Sequence, residues 1–281
     1  MDVFISDARI DQLIAEDVPY IDLTSLVLGV GDVPARIEFF TREACTVCCT
    51  EEAARILRRM GACVTQMTPS GMQVEAGAIL IEATGSGAAL HKAWKVCLNL
   101  LDHYSAVATK TSSLVKAAKS VNPACEILTT RKSMPGAKDL LTKAVMAGGA
   151  FPHRLGLSET VLVFENHTRL MGGFDAFLEA LPSLRSRCIE KKMFVEADAD
   201  QARALAKVGV DGIQFDKIPA SELGALVQEI RSIDPRCTLI AAGGINEKNA
   251  AAYAASGVDG LVTTSPFSAA PLDMSARILP V

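Results

Sequence analysis

Residues 193–216 read "MFVEADADQARALAKVGVDGIQFD". Two short β-rich runs, "MFVEA" and "GIQFD", flank "DQARALAKVG", in which apolar residues return at helical spacing. A strand, a helix and a second strand in so short a stretch imply a parallel pair joined by a right-handed crossover. The pattern spreads in both directions. "EILTT" (126–130), "TVLVFE" (160–165), "TLIAAG" (238–243) and "GLVTT" (260–264) read as further strands, with "ASELGALVQEIRSI" (220–233) and "NEKNAAAYAASG" (246–257) as helices between the later ones. Strict alternation marks a β/α barrel or a doubly wound sheet, and the spacing favours the barrel.

The residues before about 108 lack that rhythm. An acidic amphipathic start gives way to extended runs around "ARIEFFT" (35–41) and "AILIEAT" (78–84), then to a long helix predicted from Ala88 to Ala118. This reads as an α+β first domain that feeds through the helix into the barrel. At 281 residues the chain is long enough to bury a large core. With 49% hydrophobic and 21% charged residues and no low-complexity tract, it is an ordered globular chain.

A net charge of −4 supplies no field to attract nucleic acid or anionic lipid, so the expected partner is a small molecule. No apolar run is long enough to span a membrane, and the acidic first residues do not resemble a signal peptide, which places the chain in the cytoplasm. The eight cysteines fit that compartment as small buried hydrophobes. Cys45-x-x-Cys48-Cys49 has no second Cys/His pair at metal-finger spacing, so packing is its expected role.

In a β/α barrel the chemistry gathers at the C-terminal strand ends. After "EILT" come Thr130, Arg131 and Lys132; after "MFV" comes Glu196; after "GIQF" comes Asp216. Gly243 and Gly244 follow "TLIAA", and Thr263, Thr264 and Ser265 follow "GLV". The last two loops suit a phosphate, with backbone N–H groups and hydroxyls around an oxyanion. Taken singly, each feature has a structural reading. Arg131 and Lys132 could be a solvated loop, Glu196 and Asp216 helix caps, and His153 with Arg154 a polar turn. His91, His103 and His167 read as structural. What favours function is the joint placement of cations, acids and a phosphate loop on one rim.

"TTRKSMPG", "GGAFPHRLGLSE", "VLVFENH" and "VDGLVTTS" resemble, in order, successive motifs of the quinolinate phosphoribosyltransferase family. "AEDVPYIDLTS", "FTREACTVCC" and "LNLLDHYSAVATKT" extend the resemblance over nearly the whole chain. The resemblance implies an α/β fold with an N-terminal α/β sandwich domain (1–108, joined by 272–281) and a C-terminal open β/α barrel (109–271). It also implies a homodimer with shared active sites, with further assembly of dimers left open. The implied reaction uses phosphoribosyl pyrophosphate with Mg2+ and joins ribose C1 to the pyridine nitrogen of quinolinate, with loss of carbon dioxide.

By the same resemblance Arg131, His153 and Arg154 form a basic acid-binding pocket, and Lys132 faces phosphate or pyrophosphate. Glu196 and Asp216 stand near the ribose hydroxyls and Mg2+, the Glu196 match requiring one residue deleted nearby. Ala242, Gly243, Gly244 and Thr264 fall at the phosphate loops, where the family usually has serine for Ala242 and glycine for Thr264. Two departures bear on substrate choice. Lys95 stands where the family carries an arginine from the partner subunit, and Phe164 where it has lysine before "ENH". With Trp94 beside Lys95, these features resemble the ModD branch, pyrophosphorylases associated with molybdate transport. The implied acceptor is then one other than quinolinate; the alternative is a true quinolinate phosphoribosyltransferase of NAD synthesis, in which Phe164 merely packs and another lysine replaces the missing one. A sugar-phosphate isomerase or aldolase would share the phosphate loops but requires a dedicated base or Schiff-base lysine, for which Lys132 is the rim candidate. A non-catalytic ligand sensor is the second rival.

Overall fold

The computed structural model describes residues 3–281. In chain order it begins with α1 (Asp7–Asp17), α2 (Leu23–Leu28), β1 (Pro34–Thr41), β2 (Cys45–Thr46) and α3 (Thr50–Arg59). β3 (Cys63–Met67), β4 (Gln73–Val74), β5 (Ile79–Ser86) and the long α4 (Gly87–Lys119) follow. Next come β6 (Glu126–Thr129), α5 (Lys138–Ala147), β7 (Phe151–Pro152), β8 (Val161–Val163), α6 (Glu165–Leu170) and α7 (Phe174–Ser186). The remainder is β9 (Met193–Ala197), α8 (Ala199–Val208), β10 (Gly212–Asp216), α9 (Ala220–Ile233), β11 (Thr238–Ala242), α10 (Ala250–Ala254), β12 (Gly260–Thr263) and β13 (Met274–Pro280).

Two compact units result. Residues 3–112, with Ser133–Gly149 and Pro266–Val281, form one; Ser113–Lys132 and Ala150–Ser265 form the other. The sequence-based division differs at residues 109–112, 133–149 and 266–271, assigned there to the barrel; all group with the first unit, the longest of them, 133–149, through α5. A buried ion cluster explains why. Lys143 on α5 is 5% exposed and lies 2.8 Å from Glu51 and 2.5 Å from Glu52, both on α3. Removing the lysine would leave two carboxylates without a counter-charge.

The sheet of the first unit is antiparallel, in the order β13-β1-β5-β3. Ala35, Ile37, Phe39 and Thr41 alternate along β1 and are buried, the period-two signature of a strand with one face in a core. Glu38, on the opposite face of β1, is also buried, and its carboxylate accepts from Arg277 of β13 at 2.5 Å.

The second unit is a seven-stranded parallel sheet in the order β7-β6-β12-β11-β10-β9-β8. Its strands follow chain order around a curve, and β7 and β8 are its two outermost members, with no pairing between them among the described residues. It is therefore an open β/α barrel. The central strands β9, β10, β11 and β12 are buried almost throughout, as a sheet covered on both faces requires. β7 escaped the sequence reading because it is two residues long and one is Pro152, which lacks an N–H and is tolerated at a sheet edge.

The ion cluster gives a first prediction. Burial alone would raise the Glu51 pKa, but hydrogen bonds from Lys143 and Ser70 outweigh it and hold the carboxyl at about 2. Its folded pKa lies below the unfolded one, so it contributes stability above the ordinary carboxylate pKa that is lost as pH falls toward 2. Lys143→Met is expected to destabilise the chain by about 3 to 5 kcal/mol at neutral pH, with a smaller difference in acid. Urea unfolding of both proteins at pH 7 and pH 4 measures this, and equal midpoints at pH 7 would contradict it.

Candidate active site

A cavity of about 690 Å³ opens at the C-terminal strand ends of the barrel. It is lined by Arg131, Lys132, His153, Arg154, Phe164, Glu196, Asp216, Ala242, Gly243, Gly244 and Thr264, which were all picked out in the sequence. Lys95 is the exception. It belongs to α4 in the first unit, with its ammonium 5.4 Å from the Trp94 ring centre.

The phosphate-loop candidates come from β11 and β12. Gly243 and Gly244 both have positive φ (100° and 69°), which turns the backbone as it leaves β11. The Gly244 carbonyl is tied back by the side-chain amides of Asn246 and Asn249, each at 3.1 Å. Among the described residues the N–H groups of Gly243, Gly244 and Thr264 donate to no protein acceptor. Across the neighbouring strands Thr264 Oγ1 lies 2.9 Å from Thr130 Oγ1. Unspent donors on a tight turn beside two hydroxyls form a shell suited to a phosphate. A sulfate or phosphate soak is expected to place the anion there. Gly243→Ala should weaken that binding and destabilise the fold by about 1 to 3 kcal/mol. At φ 100° its Cβ would meet Lys217 Cγ at 2.5 Å and the Lys217 backbone nitrogen at 2.9 Å. Unchanged melting and phosphate affinity would argue against this assignment.

The acids stand on neighbouring strands, Glu196 in β9 and Asp216 ending β10. Burial, followed by the Asp216 charge, pushes the Glu196 carboxyl above its usual range, while a hydrogen bond from Gln214 and the Lys217 and Lys132 charges pull the other way. Gln214 Nε2 donates to Glu196 Oε2 at 2.9 Å.

The cavity lining also has a basic part. Arg154 is 8% exposed, and its Nε is buried without a hydrogen-bond partner among the described residues. Burial first, then the nearby Arg131 charge, lowers its pKa. His153 was read as part of a cationic pocket, but burial, reinforced by Arg154, drops its pKa to about 4, so it is a neutral imidazole at pH 7. Its ring meets Phe194 edge-on at 6.3 Å. The net positive charge of this wall therefore rests on the arginines. Phe164 packs beside them against the buried cluster of Leu162, Phe194, Ile240, Ala242 and Val262. A second recess of about 610 Å³ shares Arg131, Arg154, Phe164 and Glu196 with the first and reaches His167, whose Nδ1 accepts from the Phe164 N–H at 2.9 Å.

The three histidines read as structural have local partners. His91 Nδ1 lies 2.7 Å from Asp22, His103 Nδ1 lies 2.9 Å from the Asn99 carbonyl, and His167 orders the start of α6. Gln214 and Lys217 are among the site residues that escaped the sequence reading. Gln214 is a lone amide inside an apolar strand, which a buried polar residue seldom is without a partner. Lys217 directly follows Asp216, the same place after a strand that had singled out the acids.

The open parallel barrel carries the glycine turn, the two acids and the basic wall at one rim, and the chain belongs to the quinolinate phosphoribosyl transferase family, a family of phosphoribosyltransferases. The family's C-terminal domain matches residues 107–277 and its N-terminal domain residues 22–105. Among curated relatives, the chain is 43% identical over 248 residues to the "Putative pyrophosphorylase ModD" of Rhodobacter capsulatus, covering 88% of this chain and 95% of that one. It is 35% identical to the protein of the same name from Pasteurella multocida, covering 98% of each. In fold it resembles NadC from Streptococcus pyogenes, with a TM-score of 0.89 at 22% identity over 100% of both chains. The family is one of pentosyltransferases, and this chain is a pyrophosphorylase of the phosphoribosyltransferase type.

Proposed function

We propose that the chain transfers a phosphoribosyl group from phosphoribosyl pyrophosphate to a ring nitrogen of an aromatic acceptor other than quinolinate. The role is that of ModD-type proteins associated with molybdate transport. The observation that carries the acceptor assignment is Phe164, an apolar face set against the core cluster in the wall that also holds Arg131 and Arg154. Two arginines satisfy one acidic group, and the phenylalanine offers the rest of the acceptor a flat surface to pack on.

In this reading the acceptor nitrogen donates its lone pair to ribose C1 as the C1–O bond to pyrophosphate breaks, and pyrophosphate leaves with the bonding pair. The transition state has ribosyl-cation character, so holding the nucleophile in line contributes more than a covalent nucleophile would. Arg131 and Arg154 orient the acceptor, and neutral His153 gives it an N–H donor or acceptor without adding charge. Lys132 faces pyrophosphate, while Gly243, Gly244 and Thr264 seat the 5-phosphate, with Ala242 leading into the turn. Glu196 and Asp216 fit Mg2+, a hard cation that is commonly bound through one or two carboxylates together with substrate phosphate oxygens. Bound there, the metal would neutralise charge on the departing pyrophosphate. The acids also hold the ribose hydroxyls.

Lys95 fits as a residue lent to a partner's site in a homodimer of a cytoplasmic enzyme. Pyrophosphate release, assayed against a panel of aromatic mono- and diacids, tests the reaction, and no release with any acceptor would leave a non-catalytic role. Mixing Lys95→Ala with Arg131→Ala protein is expected to restore up to about a quarter of wild-type activity by forming one intact site in mixed dimers. Subunit exchange without recovery would refute the shared site.

A further inference from the structure

Lys217 is one of two non-glycine residues with positive φ among the described residues, at 55°. A lysine in the left-handed region is strained, since its Cβ crowds its own backbone, and an observed outlier of this kind at a cavity wall calls for a reason. Two contacts and one missing side chain hold it there. Its N–H donates to the Ala242 carbonyl at 2.9 Å, continuing the ladder between β10 and β11 by one rung. Gly243 has no side chain and so leaves room for it, since a Cβ at that position would come within 2.5 Å of Lys217 Cγ. Its ammonium lies 3.1 Å from Asp216 Oδ2.

The stem of Lys217 thus crosses the outgoing backbone of the glycine turn, beside N–H groups that donate to no protein acceptor among the described residues. The lysine side chain is 79% exposed, so its ammonium is free to swing away from Asp216 when a stronger anion arrives. Asp216 cannot hold it tightly in water, where an exposed ion pair contributes little. A phosphate dianion seated on the turn would present more charge and more acceptor oxygens. A metal taken up by Asp216 would also displace the ammonium from that carboxylate.

We propose that Lys217 is a substrate-binding residue that clamps the 5-phosphate of phosphoribosyl pyrophosphate onto the Gly243–Gly244 turn, and that Asp216 parks its ammonium when the site is empty. This rests on the reading of the chain as a user of phosphoribosyl pyrophosphate. It makes the turn a composite site: backbone N–H groups from β11's loop, a hydroxyl from β12's loop and one mobile cation from β10's loop.

The test is calorimetric binding of phosphoribosyl pyrophosphate and of inorganic phosphate to the full chain, wild type and variants, with and without Mg2+. Lys217→Asn removes the charge while tolerating positive φ, so its melting temperature should hold or rise. Its affinity for phosphoribosyl pyrophosphate should fall about 10- to 100-fold, the loss of one charge-assisted contact, while Lys217→Arg keeps most of the affinity. In turnover the effect should appear mainly in KM for the donor. Thr264→Val is the reference, since it trims the same phosphate shell without touching Lys217. If Lys217→Asn binds as tightly as wild type while Thr264→Val binds weakly, the clamp is refuted and the phosphate turn stands. If the wild-type chain binds neither probe, the clamp and the reading beneath it fall together.

Discussion

Phe164→Lys is expected to confer turnover of quinolinate, which on the proposed reading the wild-type chain uses poorly or not at all. A pocket for a diacid must neutralise two carboxylates, and one left buried without its partner costs about 3 to 5 kcal/mol, a loss of roughly 100-fold to several thousand-fold. The wild-type wall offers Arg131 and Arg154 near Phe164, with His153 neutral; with both arginines spent on one acidic group, as proposed, a second carboxylate meets only the apolar ring there. The lysine should restore it. It should also weaken use of the native acceptor, because the apolar face packed on Leu162 and Phe194 is lost. Steady-state kinetics with quinolinate and a panel of monoacids on both proteins decides the matter. Brisk wild-type turnover of quinolinate would sink the idea.

Arg154→Met should separate activity from stability. Arg154 is buried beside Arg131, has no partner for its Nε among the described residues, and reaches the Thr160 carbonyl only at 3.5 Å. In the free protein it is an incompletely compensated charge held ready for an anion. Methionine keeps much of the length and removes the charge, so the melting temperature should stay level or rise. Acceptor binding should fall by about 100-fold or more, as a carboxylate loses its buried counter-ion. A variant that melts well below wild type would show that Arg154 serves the fold instead.

Much of this site was legible because a barrel obeys a positional rule. Once "MFVEA" and "GIQFD" are read as parallel strands, the polar residues following each strand fall on one rim, and Arg131, Glu196, Asp216, Gly243 and Thr264 do so. What escaped depends on properties that spacing does not encode. Two-residue β7 has no periodicity to detect. The grouping of residues 133–149 with the first unit follows from Lys143 meeting Glu51 and Glu52, a long-range ion cluster. The neutrality of His153 comes from burial, and a sequence shows the imidazole without its surroundings. Lys217 was passed over because a lysine after an acid looks like ordinary solvated surface until its backbone conformation is known.

The order β13-β1-β5-β3 carries a consequence for the birth of the molecule. β1 and β5 emerge from the ribosome early, but the strand that covers the other flank of β1 is made only after the whole barrel has been synthesised. Until then β1 offers an open backbone edge, and Glu38 waits without Arg277. Closing so long a loop is slow, so the nascent chain should complete its later-made barrel before its earlier-made sheet, reversing the usual N-to-C order. During that interval the exposed edge is where a holdase chaperone would bind, and where a prematurely terminated chain would aggregate.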